Sequence, residues 1–80
     1  MLSLDQLRQG QRALVEELVG TDVITQRLME MGLLEGEEIC LLAIAPMGDP
    51  LEIRIGDGRL SLRRTEAARV RVRLLDTEAR

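Results

Sequence analysis

The 80-residue chain contains no Phe, Trp, Tyr or His. Without aromatic side chains it can neither stack on single-stranded bases nor line a groove for a polyproline peptide. Without histidine it lacks the commonest metal ligand and the usual proton shuttle of enzymes. We therefore expect no enzymatic activity, no cofactor and no metal site.

Cysteine and long apolar runs are also scarce. Cys40 is the single cysteine, which excludes an intrachain disulfide and is typical of a reducing compartment. The longest uncharged stretch, residues 39–48, is far shorter than the ~20 apolar residues of a membrane helix. The first residues also lack the pattern of a signal peptide. These features predict a cytoplasmic protein that is not inserted in a membrane, with one domain over residues 1–80 and a polar tail at 75–80.

Five short runs are predicted as strands: four alternate apolar and polar residues, as strands with one buried face do, and one is apolar on both faces. They lie at residues 11–18, 38–45, 51–55, 60–62 and 70–74. The first run slips at Glu16-Glu17, which predicts a bulge that returns Leu18 to the inner face. Asp57-Gly58 predicts a type I′ hairpin. The pattern as a whole predicts a mainly β fold, a small SH3-like barrel of about five strands.

The helical signals are short. Asp22 stands at an N-cap position, and Ile24, Leu28 and Met31 follow at the spacing of one helix face. Gly32 is expected to end this α-helix in the left-handed conformation. One or two helical turns are expected at residues 3–8, and a single helical turn at residues 65–68.

The run at residues 38–45 is apolar on both faces. If alternation is strict, Ile39, Leu41 and Ala43 face the core. The opposite face then carries three apolar side chains, Cys40, Leu42 and Ile44. Such a face needs a cover, which could be the short helix, a partner protein or a second copy of the chain. We take these three residues as candidate partner-binding residues.

Charge is distributed unevenly along the chain. Residues 1–58 hold eleven acids and four arginines, whereas residues 59–80 hold seven arginines and three acids. Three of these arginines share one face of the last strand, namely Arg69, Arg71 and Arg73. This strip could contact a partner or, in an alternative function, hold the phosphate backbone of RNA. The acidic net charge of −3 and the expected neighbours Glu52 and Glu66 argue against nucleic acid.

Three segments of the sequence resemble the ferrous iron transport protein A (FeoA) family: Arg27–Gly36, Ala45–Pro50 and Leu60–Ala67. The resemblance implies a small cytoplasmic SH3-like module that supports a membrane ferrous-iron permease carrying a GTPase domain. In that family the module acts as an adaptor or regulator without an established activity of its own. The resemblance does not indicate which surface meets the permease.

Overall fold

The computed structural model describes residues 2–75, in which one antiparallel sheet of six strands curls around the core. The strands are β1 (Leu2–Ser3), β2 (Arg12–Leu18), β3 (Glu38–Ile44), β4 (Leu51–Ile55), β5 (Gly58–Leu62) and β6 (Val70–Leu74). Two α-helices, α1 (Val23–Glu30) and α2 (Arg64–Ala67), and a 3-10 turn at Leu4–Gln6 complete the structure. The polar tail expected at 75–80 lies, beyond Leu75, outside the described residues.

The strand order in the sheet is β1-β6-β2-β3-β4-β5. This confirms the predicted mainly β, SH3-like barrel with a short helix after the first long strand. The added strand is β1, in which Leu2 lies opposite Val72 of β6. Two residues are too few to show an alternating pattern, so the sequence predicted only about five strands.

The predicted bulge in β2 is present. Val15 lies opposite Val72, and after a register shift Glu17 lies opposite Arg71 and Leu18 opposite Val70. Glu16 is therefore the extra residue, and both glutamates are exposed. Because paired residues share a face, Leu18 returns to the inner side of the sheet, where it packs against the core.

Both ends of α1 also form as predicted. Asp22 caps the N-terminus, with its Oδ1 accepting the backbone N–H of Thr25 at 3.3 Å. Gly32 has φ +105° and follows the last turn, and the N–H of Leu33 donates to the carbonyl of Leu28 at 3.1 Å. That bond closes a Schellman motif, which needs a residue able to adopt positive φ at this position.

The core is wholly aliphatic. Within residues 2–75, fourteen buried residues form one cluster, to which α1 contributes Leu28. Ile24 and Met31, the other members of the helix stripe, are partly buried against the same cluster. The apolar side of α1 is thus used on the barrel interior.

The turn between β4 and β5 differs from its prediction by one residue. Its two central residues are Gly56 and Asp57, with Ile55 opposite Gly58. Gly56 has a φ of +58°, whereas Gly58 is already part of β5. The predicted Asp57-Gly58 centre was therefore wrong, because the strand pairing begins one residue earlier.

Candidate functional site

The outer face predicted for β3 is interrupted by a second bulge. The register places Leu41 opposite Ile53, Ala43 opposite Glu52 and Ile44 opposite Leu51. Because opposite residues share a face, Ile44 lies on the same side as the buried Leu51. Strict alternation through residue 45 was thus wrong, and Cys40, Leu42 and Ile44 do not form one continuous face.

The three candidate residues on β3 have different surroundings. Cys40 and Leu42 are half-buried, and the Cys40 thiol lies 3.8 Å from the carbonyl oxygen of Gly10. Ile44 is 37% exposed. Within residues 2–75, none of the three belongs to the core cluster or to the apolar residues packed on it. Their role in partner binding remains a prediction.

Each arginine of the predicted basic strip has an acidic neighbour. The ion pairs are Arg69–Asp22 at 2.6 Å, Arg71–Glu17 at 3.5 Å and Arg73–Glu16 at 3.4 Å. The bulge in β2 supplies the two glutamates, since it exposes consecutive residues beside β6. The expected neighbours were wrong, because Glu52 pairs with Arg59 and Glu66 with Arg27. The strip is thus locally neutralised, which weakens the attraction for RNA phosphates.

The Arg69–Asp22 pair sits against a glycine. A hydrogen bond from Arg69 and a second from the backbone of Thr25 hold the pKa of Asp22 below its ordinary value of 3.8. Gly20 lies beside them with φ +113°, and a Cβ placed there would be 3.0 Å from Nη1 of Arg69. A larger residue would be strained and would crowd the ion pair.

A second polar cluster joins the two helices. Glu66 is only 8% exposed; its carboxylate accepts from the Arg27 guanidinium and, at 2.9 Å, from the backbone N–H of Arg63. The bond from Arg27 connects α1 to α2, and the bond from the Arg63 N–H caps the N-terminus of α2; both are charge-assisted. This contact crosses 39 residues of sequence. No local pattern could have revealed it.

Arg64 fastens the loop between β3 and β4. Its side chain donates from Nε to the carbonyl of Gly48 at 2.7 Å and from Nη1 to the carbonyl of Asp5 at 2.8 Å. Its backbone N–H donates to Oδ1 of Asp49 at 3.0 Å. Two of the segments that carry the family resemblance, Ala45–Pro50 and Leu60–Ala67, are therefore joined to each other by structural hydrogen bonds.

A cleft lies between the bulged end of β2, the last turn of α1 and the loop that follows it. Its volume is about 550 Å³. The lining residues, which define the acidic cleft, are Glu16, Glu17, Leu18, Met29, Leu33, Leu34 and Glu35. Sequence reasoning missed this site, because three separate segments build it. The signal available was the pair of leucines after Gly32, of which only the first is buried.

Among residues 2–75, no three His, Cys, Asp or Glu side chains are grouped so that they could hold a metal ion. None of the helices in the same part of the chain is long and apolar enough to cross a membrane.

The chain is similar in sequence to known FeoA proteins. The FeoA domain family model matches residues 2–74. A fusion of Fe(2+) transport protein A with the Fe(2+) transporter FeoB from Porphyromonas gingivalis is 36% identical over 78 residues. That match covers 98% of this chain but only 9% of the fusion protein.

Two solved structures share the fold. The FeoA-like protein of Clostridium acetobutylicum superposes with a TM-score of 0.91 at 30% identity, over 99% of this chain and 92% of that one. The FeoA of Stenotrophomonas maltophilia, described as an SH3 domain protein and solved with zinc, superposes with a TM-score of 0.75 at 37% identity. The aligned part is 90% of this chain and 89% of that one. With a family model spanning nearly all the described residues and this agreement in fold, the chain belongs to the FeoA family.

Proposed function

We propose that this chain is a small cytoplasmic accessory protein of ferrous iron uptake, which binds and regulates a membrane ferrous-iron permease with a GTPase domain. The observation that carries the proposal is the fusion relative, in which a segment similar to this chain is joined to the transporter FeoB. Joining two modules raises the effective concentration of one for the other. That gain matters when the two modules contact each other.

The arrangement of polar groups supports a binding role rather than an enzymatic one. The buried carboxylate of Glu66 is engaged by two donors, and Arg64 is engaged by backbone carbonyls. These groups hold the helices and the long loop in place. The surface outside them carries exposed apolar side chains, which are suited to contact with another protein.

Co-purification tests the proposal. The full-length permease encoded in the same genome is purified in detergent with an affinity tag, and the untagged chain is added. We expect the chain to be retained and the GTP hydrolysis rate of the permease to change. A charge variant in the β4–β5 turn, Asp57→Arg, is the control for nonspecific attraction. If the chain is not retained and hydrolysis is unchanged at saturating amounts, the proposal is wrong.

The residues predicted from sequence to bind the partner are tested in the same assay. Leu42→Glu places a charge on the half-buried outer side of β3, and Arg71→Glu reverses one member of the arginine strip. We expect weaker retention with the fold intact. Met47→Glu is the matched control, because Met47 is 92% exposed in the β3–β4 loop. Sedimentation of wild type and Leu42→Glu also tests whether a second copy covers this surface.

Iron transport is proposed as the context of the protein and not as its ligand. The carboxylates of Asp49 and Asp57 lie in separate turns, and Cys40 offers a lone thiol. None of these three side chains is therefore part of a multidentate site for Fe²⁺. We expect no stoichiometric iron after anaerobic gel filtration with ferrous iron. Retention of one equivalent would contradict this part of the proposal.

A further inference from the structure

We propose that the acidic cleft is a docking site for a basic segment of a partner protein that inserts an aliphatic side chain. The proposal goes beyond the function argued above, since it specifies the chemistry of the bound segment and does not require that the partner be the permease. It rests on the rigidity of the loop after α1, on the exposed apolar side chains there and on the charge of the lining.

The loop that forms one wall is held by hydrogen bonds at both ends. The N–H of Leu34 donates to the carbonyl of Gly32 at 2.8 Å, and the N–H of Glu37 donates to the carbonyl of Leu34 at 3.0 Å. Two further bonds join the loop to β2. The N–H of Gly36 donates to the carbonyl of Val15 at 2.8 Å, and the N–H of Val15 donates to the carbonyl of Glu37 at 2.9 Å. A wall fixed in this way loses little conformational freedom when a ligand binds.

The apolar part of the lining is only partly covered by the protein itself. Leu33 is fully buried at the base, whereas Leu34 is 48% and Met29 44% exposed. A fixed loop that exposes one leucine beside a buried one presents an apolar contact that folding alone does not use. Met29 can adjust its shape to an incoming side chain, because methionine is unbranched and flexible. An aliphatic anchor on the partner would cover both exposed side chains.

The charged part of the lining selects the sign of the partner. Of the residues that the structure describes, three glutamates and no basic residue line the cleft. Glu35 has no ion-pair partner among residues 2–75. Glu16 and Glu17 are balanced by their arginines at 3.4 and 3.5 Å, so the uncompensated negative charge of the lining is that of Glu35. Lysine or arginine flanking the aliphatic anchor would therefore be attracted, whereas an acidic segment would be repelled.

A peptide titration tests the inference directly. The ¹⁵N-labelled full chain is titrated with a short synthetic peptide that contains leucines flanked by lysines. Two counterparts are used, one with Glu in place of Lys and one with Ser in place of Leu. We expect saturable shifts at the amides of Leu18, Met29, Leu34 and Glu35 with the first peptide. Both counterparts should bind at least about tenfold more weakly, and added salt should weaken the first.

Other results of this titration would overturn the inference. They are the lack of saturable shifts, shifts centred on another surface, and equal binding of the counterpart peptides. A protein that forms dimers through the cleft, detected by sedimentation and by concentration-dependent shifts at the same amides, would identify a second copy as the occupant and would also overturn it.

Variants of the lining add a second criterion. Leu34→Ser removes the exposed anchor contact, and Glu35→Lys reverses the charge of the glutamate that lacks an ion pair. Each should weaken peptide binding at least about fivefold, because contact area and charge are both required. Met47→Ser and Asp57→Lys are matched controls at exposed positions outside the cleft and should bind as wild type. If Leu34→Ser does not fold, Glu35→Lys decides. Binding of either folded variant at wild-type strength would contradict the inference.

The same variants separate this inference from the proposed function. If the wild-type chain binds the peptide but is not retained by the permease, the proposed function fails and the cleft remains a docking site. If the permease retains wild type but the peptide does not bind, the inference fails and the proposed function stands. Loss of both interactions in Glu35→Lys would show that the permease itself docks in the cleft.

Discussion

The bulged end of β2 separates two surface regions, one made of ion pairs and one that exposes apolar side chains beside a glutamate. Towards β6, the carboxylates of Glu16 and Glu17 are paired with arginines. Towards the loop after α1, the same end of the strand borders exposed Leu34 and Met29 and the carboxylate of Glu35. One extra residue in the strand thus places two glutamates beside the arginines on one side, whereas on the other side the charge of Glu35 is not balanced by an ion pair within residues 2–75.

The two regions also differ in what they contribute to stability. Exposed ion pairs such as those between β2 and β6 contribute about 0–1 kcal/mol each. The base of the cleft contains fully buried aliphatic side chains, whose removal is far more costly. The exposed side chains above that base add little to folding. Their arrangement is therefore better explained by binding than by stability.

The largest expected difference in stability is between variants of two adjacent leucines in the cleft. Leu33→Ala should lower the free energy of unfolding by about 2–5 kcal/mol, because Leu33 is fully buried beside the cap of α1. Leu34→Ala should lower it by less than about 0.5 kcal/mol, because Leu34 is 48% exposed. Urea denaturation of both variants measures the difference. Equal losses would show that Leu34 is a structural residue and would weaken the comparison.

A smaller effect is expected at the buried carboxylate between the helices. Glu66→Gln removes the charge that holds the Arg27 guanidinium and the backbone N–H of Arg63. Since Arg27 is itself half exposed, solvent screening limits the loss to about 1–2 kcal/mol. Glu17→Gln, which breaks an exposed pair, should cost less than about 0.5 kcal/mol. Chemical denaturation of the two variants compares a buried acid with an exposed one.

Substitutions in the arginine strip should lower the free energy of unfolding by a still smaller amount. Arg71→Ala is expected to cost less than about 1 kcal/mol, and the loss should shrink further in about 1 M salt, where exposed charges are screened. Val72→Ala is the internal control. Because Val72 is only 3% exposed, this variant should lower the free energy of unfolding by more than Arg71→Ala does, and the decrease should not depend on salt. If the decrease in unfolding free energy of Arg71→Ala did not depend on salt, the aliphatic stem of Arg71, rather than its charge, would stabilise the pairing of β2 and β6.

The smallest change is a titration at the start of α1. The Arg69 guanidinium and the Thr25 backbone hold the pKa of Asp22 below 3.8, so the folded state favours the charged carboxylate. The resulting stabilisation is present above pH 3.8 and is lost as the pH falls from there through the lowered pKa of the folded state. In an NMR titration of the carboxyl carbon, Arg69→Met should move the pKa back towards 3.8. An unchanged value would assign the shift to the backbone bond.

The two bulges show how much of this fold was predictable. The bulge in β2 was predicted, because Glu16-Glu17 interrupts an apolar alternation. The bulge at Leu42 in β3 was missed, because residues 39–45 are all apolar and a phase slip leaves no trace in such a run. The predicted outer face was wrong from Ala43 onward for this reason.

Local signals were otherwise sufficient for the framework. Alternation placed four of the five longer strands, an unbroken apolar run placed β3, and Asp22 and Gly32 marked the ends of α1 correctly. These features depend on neighbours within a few residues, which the sequence shows directly. The arginine partners were assigned wrongly, because salt bridges form between strands whose register the sequence does not show.

The sequence by itself thus determined an aliphatic, mainly β barrel with one capped helix. It also determined that residues 1–58 are acidic and residues 59–80 basic. Only the tertiary structure decided which acids meet which arginines, that Glu66 joins the two helices, and that Leu34, Met29 and Glu35 surround one cleft. Strand pairing and long-range packing set these distances. Neither is encoded in the spacing of nearby residues, because side chains far apart in the chain become neighbours only when the sheet closes around its core.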